Sequence, residues 1–219
     1  MLLWLLEKKF KDMLQNYQKL ENGIIKQIEK KSIINYNYDY INNSYNTYGE
    51  AGLRMAHLRL GYLVGSLGFI PNSILDIGYG NGDFLKACSS IIKNCYGHDI
   101  SKYPTPDKVT FVENPYEKEY DIVTFFDVLE HFDNIYDIQN LQTNYILISL
   151  PYCHYYNDEW FESWKHRRPD EHLWHFNNDS LITFMNELGY KCINTCNIED
   201  TIRKNEFNSY NILTGIFKK

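Results

Sequence analysis

The chain has 219 residues, of which 44% are hydrophobic and 23% are charged. These proportions are typical of a folded globular protein and exclude a collagen-like or intrinsically disordered chain. The formal net charge is −6, with 28 acidic and 22 basic residues. Broad nucleic-acid or anionic-membrane surfaces require clustered lysine and arginine, so we expect neither a membrane nor a nucleic acid as partner.

The first 50 residues predict a helical extension. Apolar residues recur every three or four positions, which is typical of one stripe of an amphipathic helix. The stripe consists of Leu3, Leu6, Phe10, Met13, Tyr17, Leu20, Ile24 and Ile28. We predict that residues 1–50 cover the main domain, close over a ligand as a lid, or pair with a second subunit in a homodimer.

The start of the chain, MLLWLLEKKF, lacks the basic first segment and the longer apolar run of a signal peptide. It is also shorter than the ~20 apolar residues of a membrane span. The five cysteines are an odd number, which favours a reducing compartment over a disulfide framework. We therefore expect a cytoplasmic protein.

A helix is predicted over about residues 51–67, and after Pro71 short apolar runs alternate with helical patterns. Helices are predicted at 81–92 and 177–190. The predicted strands are 73–78, 94–100, 108–113, 120–128, 144–151, 191–196 and 209–217. This order predicts an α/β domain with a doubly wound, mainly parallel seven-stranded sheet, helices on both faces and an antiparallel pair of strands at one edge.

The stretch Asp76-Ile77-Gly78-Tyr79-Gly80-Asn81-Gly82 lies where a strand turns into a helix. Glycines at this position let the backbone fold tightly and approach a ligand closely. A dinucleotide loop has its third glycine one residue later, where this chain has Asp83. Because carboxylates repel phosphate, the loop favours a ligand that carries positive charge and no phosphate.

With this loop the sequence resembles the class I S-adenosylmethionine (SAM)-dependent methyltransferases. Their first motif is an acid followed by three alternating glycines, and Asp76, Gly78, Gly80 and Gly82 match it. Their second strand ends in an acid that binds the cofactor ribose, and Asp99 has that place. The resemblance spans about residues 51–217.

Two later stretches are similar to the small-molecule branch of this family, which includes ubiquinone-pathway O-methyltransferases. They are the run from Tyr120 to His131 and residues 172–190. The resemblance implies a Rossmann-like fold, SAM as cofactor and a set of cofactor-binding residues. That set is Asp76, Gly78, Tyr79, Gly80, Gly82, Asp99, Ile100 and Asp127.

The family pattern is not matched everywhere. Nine residues separate Asp99 from Val109, so the helix that usually follows the second strand is expected to be missing. The acid that contacts adenine in the family is not obvious, and Glu113 or Asn114 is nearest to its place.

Methyl transfer to a hydroxyl or ammonium group also requires removal of a proton, for which a histidine with a pKa near 7 is suited. Our first candidate for a catalytic base is His131, at the end of the fourth strand, and our second is His175; His154 and His172 follow. Asp127, Glu130 and His131 also resemble the divalent-metal site of some methyltransferases in this branch, and Mg²⁺ or Mn²⁺ would suit such a donor set. We nevertheless predict no metal site.

We predict a methyltransferase domain over residues 51–219, with 151–176 as an insert on the substrate side. The insert is rich in aromatic and basic residues, which suits rings, sugars and anionic groups. We therefore expect methyl transfer to oxygen or nitrogen of a small-molecule, sugar or nucleotide-sugar acceptor. Two alternatives stay open. One is a SAM-binding module without activity, and the other is a nucleic-acid methyltransferase, which the acidic balance disfavours.

Overall fold

The computed structural model describes residues 16–38, 49–203 and 209–219. These ranges contain ten strands and four α-helices, numbered here in chain order. The strands are β1 (Tyr17–Lys19), β2 (Ile25–Gln27), β3 (Ser73–Ile77), β4 (Asn94–His98), β5 (Val109–Phe111), β6 (Glu119–Phe126), β7 (Gln142–Pro151), β8 (Trp174–His175), β9 (Lys191–Cys196) and β10 (Ile212–Lys218). The helices are α1 (Gly49–Leu67), α2 (Asp83–Cys88), α3 (Asp158–Ser163) and α4 (Asn178–Glu187). Short 3₁₀ helices span Leu129–His131, Ile135–Asn140 and Ile198–Thr201.

The central sheet has seven strands in the order β5-β4-β3-β6-β7-β10-β9. The first five are parallel to their neighbours, whereas β10 runs antiparallel to both β7 and β9. The predicted mainly parallel sheet with an antiparallel edge pair is therefore confirmed. The carboxyl ends of β3, β4 and β6 meet at one edge, where open α/β sheets bind their ligands.

Both faces of the sheet are covered, which explains why its inner strands are apolar on both sides. On one face α1 and α2 pack against the sheet through residues such as Leu63 and Leu85, neither of which is exposed. On the other face α4 contributes Leu181 and Phe184, and the 3₁₀ helix Ile135–Asn140 adds two further buried isoleucines. In the described part of the chain, no helix is both long and apolar enough to cross a bilayer.

The connection from β4 to β5 contains turns and extended chain instead of a helix, as the short spacing predicted. It lies against the glycine-rich turn between β3 and α2. The Tyr79 hydroxyl donates to the carbonyl of Tyr103, and a Cβ atom on Gly82 would lie 2.6 Å from the ring of Pro106. Without a helix, this loop itself covers the end of β4.

The helix predicted through the N-terminal apolar stripe is wrong over residues 17–28. This segment is a hairpin in which β1 pairs with β2, and β2 pairs with β8 in a small antiparallel sheet. Asn22-Gly23 forms the turn, with Gly23 at φ +84°, and the hairpin buries Ile24 and Ile25 side by side while Ile28 is 64% exposed. Between residues 17 and 28 the helical spacing is therefore a coincidence. Residues 1–15 and 39–48 of the predicted extension lie outside the described ranges, so its helical start and its boundary at residue 50 stay predictions.

Gly97 in β4 offers a test of how tightly the glycine-rich turn packs on the sheet. A Cβ atom there would lie 2.6 Å from Tyr79 Cδ1 and 3.0 Å from Leu85 Cδ1. We expect Gly97→Ala to lower the free energy of unfolding by about 1–3 kcal/mol, because two packed side chains would have to shift. Urea denaturation followed by circular dichroism measures this.

The matched control is Gly61→Ala in α1, where a Cβ atom meets nothing within 4 Å. This substitution should raise the free energy of unfolding by up to about 1 kcal/mol, because alanine favours the helix. Equal stability of Gly97→Ala and the parent chain would contradict the packing described here.

Candidate active site

The glycine-rich turn between β3 and α2 has a backbone that only glycine adopts readily. Gly78, Gly80 and Gly82 have φ values of +74°, +57° and +80°. A Cβ atom on Gly78 would lie 2.3 Å from Cγ2 of Val128, which follows β6. The turn therefore packs directly against the end of the neighbouring strand, with no room for a side chain at residue 78.

Asp99 lies immediately after β4 and connects that strand to the glycine-rich turn. One carboxylate oxygen accepts the backbone N–H of Gly80 at 3.0 Å. The other accepts the N–H and the hydroxyl of Ser101 at 2.8 and 2.6 Å. Asp99 is only 7% exposed, so its position is fixed by these bonds.

Two cavities open at this edge of the sheet. The helix-side cavity, of about 380 Å³, lies against α1 and is lined by Asp76, Arg59 and His172, among others. The β5-side cavity, of about 490 Å³, lies beyond the glycine-rich turn and is lined by residues that include Asp99, Ile100, Glu113 and Asn114. Both cavities share the lining residues Gly78, Asp127 and His131. Six of the eight predicted cofactor-binding residues line these cavities, and the two that line neither are Gly80 and Gly82.

Asp76 near the end of β3 is a buried carboxyl group at the wall of the helix-side cavity. It is 3% exposed and accepts a hydrogen bond from the Thr124 hydroxyl at 2.6 Å. Burial raises the pKa of Asp76 to about 7, and the charge of Asp99 adds to this rise. A cationic ligand group beside it would favour the ionised form.

Asp127 follows β6 at φ +56° and belongs to an ion-pair network on the floor of the helix-side cavity. It accepts from Arg203 at 2.6 Å and lies 3.6 Å from Arg59. Arg59 also donates twice to Glu199, at 2.7 and 3.0 Å, and Glu199 is fully buried. Burial alone would raise the pKa of Asp127, but the two guanidinium groups hold that pKa at about 2.

Sequence reasoning missed Arg59, Glu199 and Arg203 as parts of this site. Arg59 and Glu199 are 140 positions apart, and neither lies in a motif. The ion pair forms because α1 and the 3₁₀ helix Ile198–Thr201 come together beside β7 and β10. No local pattern carries that information.

His131 ends the 3₁₀ helix that follows β6 and lines both cavities. Its Nδ1 donates to the carbonyl of Glu171 at 2.8 Å and lies 3.0 Å from the Tyr36 hydroxyl. With Nδ1 carrying the proton, Nε2 holds the free lone pair. Burial lowers the pKa of His131, which favours the neutral ring and also makes it a weaker base than a free histidine.

His175, the second histidine candidate, lines neither of these cavities. It is buried among Tyr17, Phe161 and Trp164, and its Nε2 has no hydrogen-bond partner among the described residues. Burial lowers its pKa to about 3, with Arg167 contributing. The structure therefore does not bring His175 to the candidate site.

His172, which we ranked below His175, is the histidine that lies beside His131. Its Nδ1 donates to the carbonyl of His166 at 2.8 Å, and its ring lies 4.7 Å from that of His131, measured between centroids. His172 precedes β8, whereas His175 is the second residue of that strand and contacts Tyr17, Phe161 and Trp164. No motif of the sequence tells the two histidines apart.

Comparisons with known proteins agree with this geometry. A family model described as a methyltransferase domain matches residues 46–195. The magnesium protoporphyrin IX methyltransferase of Synechocystis PCC 6803, solved with S-adenosylhomocysteine, superposes with a TM-score of 0.57 at 13% identity, covering 84% of this chain and 96% of that one. The 1,6-didemethyltoxoflavin-N1-methyltransferase of Burkholderia thailandensis superposes with a TM-score of 0.56 at 12% identity, covering 93% of this chain and 99% of that one. At such identities the two superpositions show a shared fold. A search of curated proteins finds no match.

The family model covers more than half of the chain, including the glycine-rich turn, Asp99 and the segment from Asp127 to His131. The chain belongs to the methyltransferase domain family and is a class I SAM-dependent methyltransferase.

Proposed function

We propose that the protein methylates an oxygen or nitrogen atom of a small-molecule acceptor, with His131 beside the reacting atoms. The observation that carries the proposal is the meeting of the two cavities at Gly78, Asp127 and His131. One cavity has the features of a nucleoside site, and the other is large enough for a second molecule. The two structural relatives described above are named as methyltransferases of a porphyrin and of a toxoflavin precursor. Both names support a small-molecule acceptor.

The β5-side cavity suits the adenosine part of SAM. Asp99 is well placed to accept the ribose hydroxyls. Three of the about four lone pairs of its carboxylate accept from the Gly80 N–H and from the N–H and hydroxyl of Ser101, and rotation of the Ser101 hydroxyl frees a second position. Ile100 is 69% exposed in the free protein and offers an apolar surface for a ring, with Asn114 and Glu113 across the same cavity. The positively charged end of the cofactor then faces Asp76 across the glycine-rich turn.

When bound, SAM supplies a methyl group activated by its sulfonium charge. The protein has three tasks: to hold the acceptor in line, to exclude water and to receive the acceptor's proton. His131 Nε2 is a free base at the junction of the cavities, since Nδ1 is held by the carbonyl of Glu171. The proton that Nε2 takes from the acceptor can then pass to the solvent in the helix-side cavity.

The acceptor enters from the helix-side cavity in this proposal. The segment 151–176, predicted as a substrate-side insert, lines that cavity with Pro151, His166, Arg168, Glu171 and His172. Arg168 is half exposed and, among the described residues, forms a surface ion pair with Glu171, which is weak enough to yield to an anionic or sugar-type group. The two arginines on the floor are engaged by Asp127 and Glu199.

The decisive experiment is transfer of radiolabel from SAM carrying a labelled methyl group, incubated with the full-length protein and cell extract. The proposal predicts label in the small-molecule fraction. Label in RNA or DNA would support the nucleic-acid alternative, and tight SAM binding without any labelled product would support a silent binding module.

Asp99→Ala should weaken SAM binding by roughly 2–4 kcal/mol, because two charge-assisted hydrogen bonds are lost. Isothermal titration calorimetry measures the change. Asp107→Ala is the matched control, because Asp107 is an exposed carboxylate in the same loop. This variant should bind SAM as tightly as the parent chain does. Unchanged affinity in Asp99→Ala would show that the ribose is bound elsewhere.

SAM affinity should increase with pH because of Asp76. The free carboxyl group has a pKa of about 7, and the cationic cofactor prefers its ionised form. The ionised fraction grows about fivefold between pH 6 and pH 7, so the association constant should grow by a similar factor. Asp76→Asn should bind more weakly and lose this dependence. A flat profile in the parent chain, or the same slope in the variant, would contradict the placement.

His131→Ala should slow methyl transfer by roughly 10²–10⁴-fold, the usual contribution of general-base catalysis. SAM affinity should change little, because His131 faces the acceptor rather than the ribose. His57→Ala is a suitable control, since His57 is exposed and bonds only within α1. Full activity in His131→Ala, measured by label transfer, would remove this residue from the mechanism.

A further inference from the structure

Four aromatic rings are stacked one beside the next on the surface where the chain leaves β7. Neighbouring rings lie 4.2–6.3 Å apart between centroids, and their planes are within 21° of each other. In order of contact the rings belong to Tyr210, Tyr152, His154 and Tyr156, which we call the aromatic row. Its two ends are open to solvent, because Tyr156 is 65% exposed and Tyr210 is 59% exposed. Exposed apolar surface of this kind often marks a binding site.

The backbone holds the aromatic row in place from two sides. The N–H of Tyr152 donates to the carbonyl of Asn211 at 3.0 Å, and the N–H of Cys153 donates to the carbonyl of Phe176 at 2.8 Å. Side chains two positions apart in extended chain point to the same side, so Tyr152 and His154 stack while Cys153 turns inward. The rings are therefore positioned without a ligand, and little side-chain freedom remains to be lost on binding.

His154 gives the aromatic row a hydrogen-bond acceptor. Its Nε2 donates to the carbonyl of Tyr210 at 2.8 Å, and a carbonyl can only accept, so the ring carries a proton on Nε2. In the neutral ring the lone pair is therefore on Nδ1. The tyrosine hydroxyls at the two ends of the row can each donate or accept. The row thus combines flat apolar faces with polar groups at their edges.

A series of ring contacts joins the aromatic row to the helix-side cavity. The Trp160 ring meets Tyr156 edge-on at 5.3 Å and stacks on Trp164 at the same distance between centroids. Trp164 in turn contacts His166, with centroids 5.5 Å apart, and His166 lines the cavity. Both tryptophans are partly exposed. An elongated ligand with one end in the cavity can therefore continue over the tryptophans to the row.

Two observations separate the ligand classes that pack on aromatic rings. Between residues 152 and 160 the only charged side chains are Asp158 and Glu159, both acidic. Single-stranded nucleic acids need a positively charged groove for their phosphates, so this segment disfavours them. Proline-rich peptides also pack on aromatic grooves, but proline has no N–H that could donate to His154 Nδ1. A neutral ligand with many hydroxyl groups meets both conditions.

We propose that the aromatic row and Trp160 bind the carbohydrate part of the acceptor, a neutral oligosaccharide or glycoside. A sugar ring has C–H bonds on its faces, which pack on aromatic rings, and hydroxyl groups around its edge, which can donate to His154 Nδ1. The methylated end then lies in the helix-side cavity, and further sugar units lie on the row. This placement rests on the proposed function, whereas sugar binding by the row does not.

The test adds neutral hexasaccharides to the full-length protein without SAM, and follows tryptophan fluorescence and the heat of binding. The panel contains hexasaccharides of glucose, N-acetylglucosamine, mannose and xylose, because ring stacking uses the C–H faces that all of these sugars have. At least one should bind and change the fluorescence, since Trp160 contacts the row. The corresponding monosaccharide should bind more weakly by roughly tenfold or more, because it contacts fewer rings.

Tyr156→Ala and Tyr210→Ala should each weaken hexasaccharide binding by roughly two- to tenfold, the contribution of one aromatic contact. Both rings are exposed, so neither variant leaves a cavity in the core. Phe69→Ala is the matched control, because this exposed ring contacts Tyr145 near the start of β7, at the other edge of the sheet. SAM affinity and thermal stability, measured on the same samples, should be unchanged in all three variants.

The link to methyl transfer is tested by adding the bound hexasaccharide to the label-transfer assay. It should either become labelled itself or lower the labelling of the acceptor from the cell extract, and Tyr156→Ala should reduce this effect. Binding without either effect would overturn the link between the row and the acceptor.

The proposal is overturned if no hexasaccharide of the panel binds, or if both tyrosine variants bind it as tightly as the parent chain does. Tighter binding of oligoproline or of oligo(dT), lost in the same variants, would assign the row to a peptide or to a nucleic acid instead. A chain that binds sugar but transfers no label would contradict the proposed function alone. A chain that labels a small molecule but binds no sugar would contradict the carbohydrate surface alone.

Discussion

The hydrogen bond between the Gly80 N–H and the Asp99 carboxylate is the interaction on which the candidate site depends. It joins the turn after β3 to the end of β4, two parallel neighbours in the sheet. The turn reaches Asp99 only because its three glycines adopt positive φ, and because residue 78 has no side chain to strike Val128. With the turn fixed in this way, a cavity lies on either side of it, and both open at the carboxyl ends of the parallel strands.

The central sheet and the glycine-rich turn could be predicted from the sequence because their causes are local. Buried parallel strands are short and apolar, and the turn is a fixed pattern of acid and glycines. The missing helix after β4 was also predictable, since the nine residues between Asp99 and Val109 leave too little chain for it. The motifs that resemble the family placed Asp76, Asp99 and Asp127 at the carboxyl ends of neighbouring strands, and therefore at one edge of the sheet.

The parts that escaped prediction depend on contacts between distant segments. The hairpin at 17–28 is held in place by the pairing of β2 with β8, almost 150 positions away. Its apolar residues happen to be spaced as they would be on one side of a helix. The pairing of Arg59 with Glu199 has no sequence signature at all. The choice between His172 and His175 depends on packing: His175 in β8 is buried among Tyr17, Phe161 and Trp164, whereas His172, before that strand, lines the helix-side cavity.

Asp127 and Glu130, which both follow β6, have opposite electrostatic environments, and this contrast separates their roles. Two guanidinium groups neutralise Asp127 and hold its pKa at about 2, whereas burial and the charge of Asp127 raise the pKa of Glu130 well above its ordinary range. Neighbouring carboxyl groups whose pKa values are driven apart mark a site with separate tasks. Asp127 is fixed as an anion that joins α1 to the sheet edge. Among the described residues Glu130 forms no ion pair, and its carboxyl group is buried without a hydrogen-bond partner.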